Sequence, residues 1–183
     1  MSSQASHVLR LSQFAESQAD AAAFHVELSL DNSSPVRTRF TFALSPQDQE
    51  DLRWYLEDYL QYPLEPAPTI AARVEARMRE VGIELFQNVF QSSEDARDVW
   101  STLRPTLNDT RIEIITEVKE ATSIPWELLR DPRTDEPVAL NARTFVRAPT
   151  NPVRRNLATR TSPLDTKIRI LLAICRPNAG NDV

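Results

Sequence analysis

Across 183 residues the chain has one cysteine (Cys175), two histidines (His7 and His25) and two glycines (Gly82 and Gly180). A lone cysteine cannot close an internal disulfide. Two glycines so far apart exclude a phosphate-cradling loop, which needs several within a few positions. Cysteine and histidine together number three, too few for a four-ligand zinc site of that type. No apolar run of about 18 residues occurs, so no helical membrane span is expected. The first residues lack the basic start and apolar block of a secretory signal. With no disulfide and no visible leader, the expected location is a reducing cytoplasm. No cofactor or metal set is read from the sequence.

What is present is an ordinary globular composition, 41% hydrophobic and 26% charged, which excludes a wholly disordered chain. Charge is uneven. The net value is −5, yet residues 138–183 carry eight basic side chains against two acidic ones, Asp165 and Asp182. Such a basic end can mark a nucleic-acid surface. Here its arginines are spread over strands and a loop, and the chain as a whole is acidic, which argues against non-specific nucleic-acid binding. Attraction between the acidic and basic parts, or to an acidic partner segment, accounts for it better.

Hydrophobic patterning gives the elements. Residues 1–22, rich in Ser, Gln and Ala, read as a flexible start with a short strand near Val8–Leu11. Residues 24–30 alternate Phe24, Val26, Leu28 and Leu30 against His25, Glu27 and Ser29, a half-buried strand. The turn cluster Asp31-Asn32-Ser33-Ser34-Pro35 leads to a second alternating run, 36–44, completing a hairpin. Ser45-Pro46-Gln47-Asp48 predicts a capped helix start, and Leu52, Tyr55, Leu56, Tyr59 and Leu60 form its apolar stripe to about residue 62. A proline-rich connector precedes a second helix, Thr69–Phe90, with Ile70, Val74, Met78, Val81, Leu85 and Val89 inward. Gly82 inside it implies close packing against a neighbour. A third helix starts at Ser92 or Ser93, with Ala96, Val99, Trp100 and Leu103 inward. Residues 111–118 alternate as a strand. Ser123–Leu129 reads as a helix of two turns at most, halted at Asp131-Pro132. A strand is expected near Val138–Arg147 and a loop over 148–166. Ile168–Ile174 is a strand buried on both faces, as in a parallel sheet.

Four segments in this order carry a resemblance. They are Leu52-Arg53-Trp54-Tyr55-Leu56-Glu57-Asp58-Tyr59, Ile83-Glu84-Leu85-Phe86, Ile124-Pro125-Trp126-Glu127-Leu128-Leu129, and Arg169-Ile170-Leu171-Leu172-Ala173 closing in Arg176-Pro177. Thr144-Phe145-Val146-Arg147 fits between the last two. Together they resemble the N-terminal part of the CHAT domain, a caspase-like domain of bacterial proteins often paired with TPR repeats. The Trp-Tyr-Leu-Glu and Pro-Trp-Glu-Leu-Leu segments are the most specific.

The resemblance implies an α/β fold whose N-terminal part is α+β: a β-hairpin plus helices leading into the first strands of a caspase-like sheet. It covers 23–183, with a hairpin and helical region at 23–110 and first core strands at 111–183. The family is one of cysteine peptidases with a His–Cys dyad. Both dyad residues follow the strand matching Ile168–Ile174, so the chain is expected to stop before them, and no catalytic residue is carried over. Cys175 follows the first core strand rather than the nucleophile's strand, and a cysteine there is usually a small hydrophobe. The motif residues Trp54, Tyr55, Pro125, Trp126, Glu127, Arg147, Arg176 and Pro177 are expected to be structural. Trp126 should pack into the core, with Glu127 paired to an arginine such as Arg147 or Arg176. The implied function is the non-catalytic front part of a peptidase, inactive alone, which docks its downstream catalytic half or a partner protein. The alternative is a stand-alone protein-interaction module without protease activity.

Overall fold

Leu9, Leu11 and Gln13 are buried while Val8, Arg10 and Ser12 between them are not, the period-two pattern of a strand with one face packed. In a computed structural model of the chain they lie on β1 (His7–Ser17), which sits in the middle of a five-stranded sheet. The structure describes residues 7–17, 20–61, 64–116 and 124–148. All belong to the first of two compact units, Met1–Pro152. The expected strand Ile168–Ile174, with Cys175, Arg176 and Pro177, lies outside the described residues.

β2 (Asp20–Leu30) pairs antiparallel with β1, and β3 (Val36–Thr41) antiparallel with β2. Asp31 and Asn32 join β2 to β3 with φ of 51° and 62°, and the Ser33 amide donates to the Leu30 carbonyl at 2.8 Å. Two successive positive φ values define the hairpin turn whose twist suits flanking strands, and Asp and Asn tolerate that region. β4 (Thr110–Thr116) runs parallel to β1, and β7 (Thr144–Ala148) parallel to β4. The order is therefore β3-β2-β1-β4-β7, with three parallel strands at one side. The fold is α/β.

α1 (Pro46–Glu57) starts as predicted: Ser45 and Asp48 form a reciprocal capping box around Pro46. Its apolar stripe is a correction. The helix ends at Glu57, and Leu56 and Leu60 are 65% and 78% exposed; α1 meets α2 instead through half-buried Leu52 and Tyr55 and through ion pairs from Asp48 and Asp51 to Arg77 and Arg73. α2 (Ala67–Phe90) buries Val74, Met78, Val81, Gly82, Leu85 and Val89. α3 (Glu94–Leu103), capped by Ser93, buries Ala96, Trp100 and Leu103, and a 3₁₀ segment over Arg104–Asp109 feeds β4. Phe86, Phe90 and Trp100 make an aromatic cluster between the two helices, with centroids 4.8–5.2 Å apart. The helices cover the sheet face formed by Leu9, Leu11, Phe24, Val26, Leu28, Ile112 and Ile114. The opposite face is polar. Arg10 and Arg111 both reach Glu113, at 3.0 and 2.8 Å, and Arg37 reaches Glu27 at 2.7 Å. Burial pushes the Glu113 carboxyl up, but the two arginine hydrogen bonds outweigh it and hold it below its usual value.

Two further expectations are corrected. The start expected to be flexible is largely strand: the short strand expected near Val8–Leu11 is present but extends over all of β1, which pairs on both edges with Leu9 and Leu11 unexposed, and residues 20–22 already belong to β2. The strand expected over Val138–Arg147 is instead α4 (Val138–Asn141) followed by β7, because 138–141 is taken up in a helical turn beyond the short ladder of β5 (Arg130–Asp131) and β6 (Glu136–Pro137). Asp131 accepts from the Arg133 amide, and Asp135 takes a positive φ of 59° to close that ladder. Arg79 of α2 reaches Asp135 at 2.6 Å, tying the turn to the helix. Among the described residues no helix is long and apolar enough to cross a membrane.

Candidate functional site

The Pro-Trp-Glu segment stands where the carboxyl-end halves of β1 and β7 meet the helical layer. Pro125 at φ −77° brings the chain into a single 3₁₀ turn, Trp126–Leu128, closed by the Leu128 amide on the Pro125 carbonyl at 2.9 Å. The expected helix of up to two turns is thus one turn only, because Leu129 at ψ 121° leaves helical space to enter β5.

Three elements hold this turn. From β1, Gln13 offers its side-chain oxygen to the Trp126 indole Nε1–H at 3.0 Å, in full burial. A buried indole N–H needs such an acceptor. From α2, Gly82 presents bare backbone to the Leu128 carbonyl; an added Cβ would overlap that oxygen outright. From β7, Arg147 forks Glu127 with Nε and Nη2, both at 2.8 Å, and Nη2 also donates to the Ile124 carbonyl at 3.2 Å. The Arg147 guanidinium holds the Glu127 carboxyl below its usual range. Trp126 is therefore a core residue as expected, and Arg147 is the arginine that meets Glu127.

Tyr55 and Glu127 border one groove of about 570 Å³ between α1, α2 and the turn. Leu52, Leu56, Val74 and Leu128 give it apolar walls, while Glu75, Arg79 and Arg130 supply charge at its margins. The Tyr55 hydroxyl donates to Glu75 at 2.6 Å, and that carboxylate raises the phenol pKa. Trp54 packs on Tyr59 with centroids 5.6 Å apart. The structure thus brings Tyr55, Trp126, Glu127 and Arg147 into one neighbourhood.

The histidines have other company. His7 meets Asp31 at 2.7 Å, and this hydrogen bond lowers the Asp31 carboxyl pKa. His25 stacks on Phe14 at 4.8 Å on the polar face of the sheet. Cys175 lies outside the described residues. Among those residues no group of three or more His, Cys, Asp or Glu could hold a metal ion.

Gln13 and the Asp48–Arg77 pair were not singled out from the sequence. Gln13 falls on the Leu9-Leu11-Gln13 alternation, which was the available signal. Arg77 grips Asp48 at 2.9 and 3.1 Å and holds its carboxyl below the usual range. Comparison with family models, curated proteins and solved structures finds no match to this chain.

Proposed function

We propose that the chain is the front, non-catalytic part of a CHAT-type, caspase-like cysteine peptidase, which frames the fold and docks the catalytic half. The observation that carries this is the edge at β7. Three parallel strands, β1, β4 and β7, end there, and among the described residues no strand pairs with the outer side of β7. An unpaired edge of a parallel run invites a further strand. The Pro-Trp-Glu turn supports the same reading. Its Glu127–Arg147 fork fixes the side-chain layer beside that edge. Peptide hydrolysis itself is assigned to a histidine and a cysteine supplied by the docked half, with the histidine taking the thiol proton and the thiolate attacking the carbonyl.

The second reading, a stand-alone interaction module, is favoured by one observation: the apolar groove beside Tyr55, with Leu56 exposed at its margin. Co-expression separates the two. The chain is produced alone and with the polypeptide encoded downstream of Val183, then assayed on a peptidase substrate. The expected result is co-purification, with activity only in the complex and abolished by replacing the partner's cysteine. Activity of the chain alone that is lost on Cys175→Ala refutes the assignment. Absence of any downstream polypeptide bearing both His and Cys leaves the interaction module.

A further inference from the structure

α3 carries Arg97, Trp100 and Ser101 at one-turn spacing, and Arg104, its C-cap, continues the same face. Together with Pro105 and with Arg133, from the turn between β5 and β6, they line an open cleft of about 470 Å³. Among the described residues no carboxylate lines it. Buried Asp131 meets Arg104 at 3.5 Å. Arg97 spends one nitrogen on the Gln91 carbonyl at 3.3 Å, leaving the rest of its fork available. Arg133 uses its backbone amide on Asp131, and its exposed guanidinium has no partner among the described residues. Three guanidiniums line the cleft and one buried carboxylate pairs with one of them, in a chain of net charge −5.

Trp100 is the apolar wall. It is 8% exposed and also borders a neighbouring cavity of about 260 Å³. Its indole Nε1–H is buried and has no acceptor among the described residues. Buried donors left without a partner are rare, and such a group calls for an explanation.

We propose that this cleft binds an acidic peptide segment, with a carboxylate between Arg97 and Arg133 and an adjoining apolar side chain against Trp100 and Pro105. Guanidinium forks match the planar carboxylate bidentately. The cleft has the size of a ligand site rather than of an extended track. Three cations in a bounded hollow do not make a stripe for a long polyanion, and the acidic remainder of the protein repels one. This site does not depend on the peptidase reading.

The test is fluorescence anisotropy of the whole chain with a labelled peptide of alternating Glu and Leu, beside the same peptide carrying Gln for Glu. The acidic peptide should bind and weaken as salt is raised. The neutral peptide should not bind. Arg97→Gln combined with Arg133→Gln should raise the dissociation constant roughly tenfold or more, while Arg53→Gln on α1 should leave it unchanged. The peptide swap reads the charge requirement even if the double variant were to unfold. Equal binding of the neutral peptide, no binding of the acidic one, or an unchanged constant in a folded double variant overturns the proposal. So does tighter binding of a single-stranded oligonucleotide than of the acidic peptide.

Discussion

Replacing Gly82 with alanine sets two opposite effects against each other. Mid-helix, alanine is better than glycine by about 1 kcal/mol. Against that, the new methyl would overlap the Leu128 carbonyl oxygen and sit 3.1 Å from the Leu128 carbonyl carbon and 3.2 Å from Arg130 Cβ. The obstruction is backbone, so no rotamer change relieves it. Either α2 or the Pro-Trp-Glu turn must move. Moving the turn disturbs the Trp126–Gln13 hydrogen bond and the Glu127–Arg147 fork. Overpacking of a well-filled interior costs about 1–3 kcal/mol, and a rigid neighbour puts this case at the top of that range. After the helix gain is subtracted, Gly82→Ala should lose about 2 kcal/mol. For a body of this size that corresponds to a melting point lower by roughly 4–8 °C. Urea unfolding followed by far-ultraviolet circular dichroism and by tryptophan fluorescence measures it. A variant as stable as the parent, or more so, would show that the close approach of α2 and the turn is wrong.

Trp126→Phe removes the indole donor and leaves the Gln13 oxygen buried without a partner, so a loss of about 2–4 kcal/mol is expected in chemical denaturation. Gln13→Leu made together with it should recover part of that loss. Glu127→Gln weakens the fork to Arg147; because both side chains are more than a third exposed, solvent screening limits the loss to about 0.5–1 kcal/mol, and the difference from the parent should shrink in high salt. Asp48 has its carboxyl pKa lowered by Arg77, so its contribution is present above the unfolded carboxylate pKa of about 3.9 and is lost as pH falls through the lower folded value. In Asp48→Asn the stability–pH curve should lose part of that acid limb, and an identical curve would remove the pair from the account.

Elements whose side chains advertise their own periodicity were legible. β3 and the runs 24–30 of β2 and 110–114 of β4 alternate, α1 and α3 begin at serine caps, and the α2 stripe is apolar at helical spacing. Gly82 announced a close neighbour, and charge narrowed the partner of Glu127 to an arginine such as Arg147 or Arg176, of which the fold brings Arg147 to it. Only the Val8–Leu11 part of β1 was legible, because Gln13 and the surrounding Ser and Ala residues resemble a solvated tail. Its burial comes from β2 on one edge and β4 on the other, the latter about a hundred positions away, which local pattern does not register. The α1 stripe erred in the other direction. Leu56 and Leu60 have helical spacing, yet spacing cannot supply a partner surface. In the Pro-Trp-Glu segment, composition favoured a helix, while tertiary contacts to Gln13, Gly82 and Arg147 stopped it after one turn.

The central place of β1 also sets an order of events during synthesis. The meander of β1, β2 and β3 is complete once the ribosome has released residue 41, and its contacts are local, the kind that form quickly. The second edge of β1 has no partner until β4 has emerged. At about 5–20 residues per second, the segment between them takes several seconds to appear. For that interval Leu9 and Leu11 lack their parallel neighbour, and the α2 and α3 cover arrives only shortly before it, so the first strand of this sheet is among the last to be sealed.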